Sequence, residues 1–182
     1  ALDHALEALG STHSNHFCDG IAGSALRLLG SALPEVKADG MDLDARLRCQ
    51  VGAWQSMIPV IGGVPMGASH AIGHVLGGTA DVPHGYCSCV MAPSVLAFNQ
   101  PVNGEKQKQI SACLGQPDRA ASEIVDEFIT GLGMPRSLTA VGITEDQLDL
   151  IAEYTMLDFW SRTNPREISG PEDVRGILEM AL

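Results

Sequence analysis

The chain has 182 residues, enough for one domain with a real core, and 45% of them are hydrophobic against 18% charged. Its 22 acids and 11 bases give a formal net charge of −11, a surface that repels phosphate backbones and argues against a nucleic-acid partner. The same shortage of Lys and Arg denies an anionic membrane a polybasic anchor, and no apolar run approaches the ~20 residues needed to span one.

The first nine residues read as a helix with Leu2, Leu6 and Leu9 as its apolar stripe, ended by Gly10. It begins without an initiator Met and without a Ser, Thr or Asn cap, as expected of a piece of a longer protein. A polar loop (Ser11 to Asn15) leads to a second helix carrying Phe17, Ile21, Ala25, Leu28 and Leu29, with Pro34 expected just beyond its end. Asp42 caps a third, in which Leu43, Leu47, Val51, Trp54 and Ile58 recur at spacings of three and four until Gly62-Gly63-Val64-Pro65. Ser69 is read as the cap of a short helix through Leu76, closed by Gly77-Gly78, and Pro83 as a first-turn residue of a helix reaching about Asn99. Further helical patterns cover 104–114, 117–132, 145–158 and 171–181, with Pro117 and Pro171 in first turns and Thr144 with Gln147 as a capping box. No segment alternates as a strand does, so the fold expected is all-α, one helical domain over 1–182.

Five cysteines, Cys18, Cys49, Cys87, Cys89 and Cys113, are odd in number and irregular in spacing. That argues against a disulfide framework and for a reducing compartment, so they are read as core packing and the cytoplasm as the expected location. No strand–glycine-loop–helix unit is present to cradle a pyrophosphate; any nucleotide must be held mainly by another segment or chain.

Three of the six histidines, His70, His74 and His84, fall within fifteen residues among Ala, Ile, Val, Leu and Gly, and His4 lies on the first helix among Ala and Leu. On a helix His70 and His74 are one turn apart and share a side. Buried imidazoles need partners or a metal, since an unsatisfied buried polar group costs about 1–3 kcal/mol, and neutral imidazole suits Fe(II) and Zn(II). His4, His70 and His84 are expected to converge on one point. His13 and His16, in a polar loop, are expected to be solvated or capping, and Cys87 and Cys89, two apart on a helix, to be packing.

The run from Met66 to Gly85, with His70, His74 four residues on and His84 in Pro-His-Gly, resembles the signature of the iron-containing alcohol dehydrogenase family. Ala1-Leu2-Asp3-His4-Ala5-Leu6-Glu7 resembles its first ligand helix, and the likeness extends through Asp42 to Arg46, Ala53-Trp54 and Asn164-Pro165-Arg166. It covers essentially the whole chain but only the carboxyl-terminal half of a family member, the helical half of the dehydroquinate synthase-like fold. The resemblance implies His4, His70 and His84 as metal ligands, for Fe2+ or Zn2+, and His74 near the nicotinamide and substrate as a proton-relay or positioning group. It implies NAD(P)H bound through the other half, an alcohol, aldehyde or keto-acid substrate such as maleylacetate, and a homodimer for the full-length protein. The family's fourth ligand, an Asp four residues before the first His, falls before Ala1, so weak or absent metal affinity is expected of this chain. The adjacent Asp3 is not a substitute on the same face. Two other readings of the same residues are a stand-alone metal-binding or interaction module and a zinc enzyme akin to glycerol dehydrogenase or dehydroquinate synthase.

Overall fold

The apolar stripe of the first helix is buried: Leu6 and Leu9 are 2% and 1% exposed, and α1 spans Leu2–Gly10. The computed structural model describes residues 1–182, all helix and connecting loop, with no strand. After α1 come α2 (His16–Ala38), α3 (Leu43–Ile61), α4 (Ala68–Ala80), α5 (His84–Cys113), α6 (Ala121–Leu132), α7 (Leu148–Thr155) and α8 (Pro171–Met180), with 3-10 turns at Thr139–Val141, Glu145–Gln147 and Phe159–Thr163. No helix is long and apolar enough to cross a membrane.

Several helix ends differ from the sequence reading, each for a tertiary reason. Asn15 belongs to α2 as its N-cap, its Oδ1 accepting from the Phe17 and Cys18 N–H groups. The same helix runs through Pro34 to Ala38. Proline forfeits one hydrogen bond there, but the last turn is tied down elsewhere. Glu35 pairs with Arg48 of α3, and Lys37 Nζ donates to the Gly131 carbonyl at 2.9 Å. Ser69 lies inside α4, whose cap position is Gly67; the helix passes Gly77-Gly78 and stops where Asp81 turns left-handed at φ 53°. Glycine commonly ends a helix by adopting that conformation, and these two do not adopt it. Residues 84–113 form one helix kinked at Asn103 (φ −116°, ψ 24°), whose amide donates to the Gly10 carbonyl at 2.9 Å. Helix α6 starts at Ala121 rather than near Pro117. The expected stretch 145–158 divides into a 3-10 turn and α7, and its Thr144–Gln147 capping box is formed.

Two cores result. Ile72, Leu76, Met91, Leu148, Ile151 and Ile177 pack among α4, α5, α7 and α8. Leu6, Leu9, Leu26, Leu96, Ile110 and Val125 pack among α1, α2, α5 and α6. Helix α5 serves both, and the first turns of α4 and α5 emerge where the two cores meet α1.

Helix α3 departs from the pattern. Leu43, Leu47 and Trp54 are 75%, 58% and 69% exposed, whereas its buried residues are Ala45, Gly52, Ser56 and Pro59. The apolar stripe faces outward because α3 lies against α2 along its small residues: a Cβ on Gly52 would come within 2.9 Å of Leu29 Cγ and 3.2 Å of Leu28 Cβ. Gly52→Val is expected to destabilise the fold by about 1–3 kcal/mol through overpacking, while Trp54→Ala should stay within about 0.5 kcal/mol of the parent. Urea unfolding of the two variants checks both.

Candidate functional site

Glu7 and Asp3, one turn apart on α1, aim their carboxylates at the start of α4. Glu7 Oε2 accepts from the Gly67 N–H at 3.0 Å and Oε1 from the Ser69 N–H at 2.9 Å. Asn164 Oδ1 takes the Ala68 N–H at 3.1 Å. The exposed N–H groups of a helix start, and the partial positive charge they carry, favour a carboxylate there. The approach requires Gly67, because a Cβ at that position would meet Asn164 Oδ1 at 2.9 Å and Glu7 Oε1 at 3.1 Å.

The same Glu7 carboxylate accepts from His70 Nδ1 at 2.7 Å, and Asp3 Oδ2 accepts from Ser69 Oγ at 2.7 Å while lying 3.5 Å from His70 Nδ1. Nδ1 carries the proton, because an ionised carboxylate only accepts. Burial opposes charge on the His70 ring, yet Asp3 and Glu7 outweigh it and raise its pKa to about 9. His4 behaves oppositely: burial, reinforced by His70, lowers its pKa to about 4.

The sequence reading expects His4, His70 and His84 to converge on one point; the structure brings their side chains to one pocket. All three line one cavity of about 220 Å³, walled by Leu33, Val125, Phe128, Ile129, Leu132 and Met134 among others. His4 stacks on His70 with ring centroids 4.7 Å apart and an interplanar angle of 17°, and the His84 centroid is 6.5 Å from that of His70. His84, the first residue of α5, is exposed rather than enclosed.

Three imidazoles from three helices are the donor chemistry of a borderline divalent metal, but their arrangement does not fit one. Imidazole lone pairs lie in the ring plane, so two nearly parallel stacked rings do not direct nitrogens to a common point ~2 Å from each. No group of three or more His, Cys, Asp or Glu side chains is placed to hold an ion. Asp3 is turned to Ser69, and its Oδ1 and the His4 Nδ1 are buried without a hydrogen-bond partner.

His74 shares its helix side with His70 but not its burial: the His74 side chain is 44% exposed against 4% for His70. It is not among the residues that line the histidine pocket. Its Nδ1 lies 2.8 Å from Asp158 Oδ2, and Trp160 packs against both histidines, with centroids 4.9 Å from His74 and 5.8 Å from His70. Asp158 and Trp160 come from the 3-10 turn before Asn164-Pro165-Arg166, and nothing in the sequence periodicity marks them. Glu7 had a legible signal, two acids one turn apart on an otherwise apolar helix. His13 and His16 are exposed in the α1–α2 region, Cys87 is buried in one core and Cys89 faces the histidine pocket, and all five thiols are free.

Glu7→Ala leaves two N–H groups at the start of α4 and one imidazole without an acceptor and is expected to cost about 2–4 kcal/mol, with Glu7→Gln costing less. The two shifted histidines set a pH profile. His70 contributes stability that is complete below its ordinary 6.5 and is lost as pH rises through about 9. His4 binds its proton less readily folded than unfolded, so stability also falls as pH drops from 6.5 through about 4. Their joint contribution is therefore greatest near pH 6.5, and His70→Gln should flatten its alkaline side in denaturation midpoints taken at pH 5, 6.5 and 9.

The sequence profile described as "Fe-containing alcohol dehydrogenase family, C-terminal" matches residues 1–182. Among curated proteins, the maleylacetate reductase of Rhizobium sp. (strain MTP-10005) is 32% identical over 182 residues, covering 100% of this chain and 50% of its own length. The NAD-dependent methanol dehydrogenase of Bacillus methanolicus is 28% identical over 191 residues, again 100% of this chain and 50% of its own. Among solved structures, a 1,3-propanediol oxidoreductase superposes with a TM-score of 0.93 at 28% identity, over 100% of this chain and 49% of its own. The Rhizobium maleylacetate reductase does so with 0.88 at 30%, over 100% and 50%. The chain spans about half the length of the relatives it matches. Profile, identity and superposition agree with the histidine pocket, and the chain belongs to the Fe-containing alcohol dehydrogenase family, as its C-terminal helical domain.

Proposed function

We propose that the chain is the substrate- and proton-handling half of an oxidoreductase that interconverts an alcohol and an aldehyde or ketone, with NAD(P)H held mainly by a nucleotide-binding half outside it. The observation that carries this reading is the pocket in which His4, His70 and His84 meet an apolar wall, with His74 one helical turn beyond His70, outside that lining, and Trp160 packed against both rings. The chemistry a bound nicotinamide would supply is hydride transfer. This chain's residues bind the substrate carbon chain along Leu33, Phe128 and Leu132, with the His4, His70 and His84 side chains as the polar part of the same lining. His74, half in solvent, exchanges a proton with the substrate oxygen, a role typically worth 10²–10⁴-fold in rate. A maleylacetate-like dicarboxylate is less favoured, because no Lys or Arg side chain lines the pocket and a buried carboxylate needs a partner charge.

The chain lacks a phosphate cradle, so alone it should not oxidise NADH or NADPH with any of a panel of aldehydes, ketones and maleylacetate. Joined to the nucleotide-binding half, it should reduce uncharged aldehydes in preference to maleylacetate, and His74→Ala should lower kcat by about 10²-fold or more with little change in KM. Turnover by the 182-residue chain alone, or full activity without His74, overturns the reading.

A further inference from the structure

Asp158 divides its carboxylate between two tasks. Oδ1 accepts the Trp160 N–H at 2.8 Å and so caps the 3-10 turn Phe159–Thr163, while Oδ2 lies 2.8 Å from His74 Nδ1. The turn is further fixed by Ser161 Oγ, which donates to the Asp158 carbonyl at 2.8 Å, and by Thr163 Oγ1, which donates to the Met66 carbonyl just before α4. The second of these bonds ties the turn to the same segment that leads into the histidine helix. The Asp158 side chain is 20% exposed, and the Trp160 ring lies against the His74 ring at 34°. His74 is thus held at one nitrogen by a carboxylate and on one face by an indole, and its Nε2 has no partner within the protein.

An ionised carboxylate cannot donate, so a neutral His74 bonded to it must carry its proton on Nδ1, leaving the Nε2 lone pair directed outward. We propose that Asp158 is the positioning residue that fixes this tautomer, so that Nε2 is the atom that takes the substrate proton. The inference rests on the proton role given to His74 above. In alcohol oxidation the substrate O–H bond breaks as its proton forms the Nε2–H bond and the imidazolium is held against the Asp158 carboxylate; a nicotinamide held by the other half would be the acceptor of the hydride lost from carbon. Carbonyl reduction runs the same proton back. With the opposite tautomer Nε2 already carries a hydrogen and has no lone pair to receive one.

The geometry supplies a variant that separates this role from a structural one. In Asp158→Asn the side-chain oxygen still caps Trp160, since Asn is as good an N-cap as Asp, whereas the amide N–H faces Nδ1 and selects the Nε2–H tautomer. Long-range 1H–15N correlation spectra of the 15N-histidine-labelled chain, recorded at a pH where His74 is neutral, read the tautomer directly. The parent is expected to show Nδ1–H, D158N to show Nε2–H, and D158N to keep the parent's unfolding midpoint more nearly than Asp158→Ala. Joined to the nucleotide-binding half, D158N should lose about 10²-fold or more in kcat at little change in KM, the pattern of a lost transition-state contact. A parent showing Nε2–H, or a D158N protein retaining Nδ1–H, overturns the positioning role and leaves the reading of the pocket standing. A flipped tautomer with undiminished kcat overturns instead the proton role of His74, and with it any catalytic consequence of Asp158.

Discussion

A helix that starts in the interior of a protein must have its first N–H groups satisfied by something other than water, and in this domain Glu7 does so for α4. Because its carboxylate also takes the Nδ1 proton of His70, one side chain joins two elements and orients an imidazole. The start of α4 at Gly67, the burial of His70 and the stacking of His4 all follow from that contact. Gly67 is the necessary counterpart, the residue whose missing side chain lets the carboxylate reach the backbone. A carboxylate that accepts from one imidazole nitrogen fixes which nitrogen faces a pocket.

The two ends of the α4 histidine pair show how one turn of helix separates two environments. His70 sits between two carboxylates and is drawn toward the charged form, whereas His4, beside it, is held neutral by burial and by neighbouring positive charge. His74, at the same helical side but beyond the α1 contact, keeps one face in solvent and a single acidic partner. Opposed protonation tendencies within a few ångströms are a recurrent feature of sites that move protons. They arise here from where the acids of α1 point, which charges His70, and from the burial of His4, not from the spacing of the histidines.

Helix α3 carries apolar residues at spacings of three and four, yet it turns Leu43, Leu47 and Trp54 outward and buries Ala45, Gly52 and Ser56. Periodicity reports that a helix has an apolar side; it does not report which side a neighbouring helix will choose. Here close approach of α2 to a row of small residues decided the matter, since helices pack more closely where side chains are short. Helix ends were subject to the same override: the α2 turn beyond Pro34 is retained by contacts from Arg48 and to Gly131, and α4 ignores two glycines until Asp81 changes hand.

The sequence by itself determined the all-α class, most helix cores, the caps at Asp42 and Thr144, and the histidines at positions 4, 70, 74 and 84, because these depend on local periodicity, local capping chemistry and residue type. Only the tertiary structure decided what those histidines touch. Glu7 is 63 residues from His70 and Asp158 is 84 from His74, and no local pattern couples residues so far apart. Nor does spacing fix ring orientation: of the three imidazoles gathered in one pocket, His4 and His70 stack and His84 stands tilted 58° to His70, instead of all directing their nitrogens to one point, because the angle between rings is set by how α1, α4 and α5 cross.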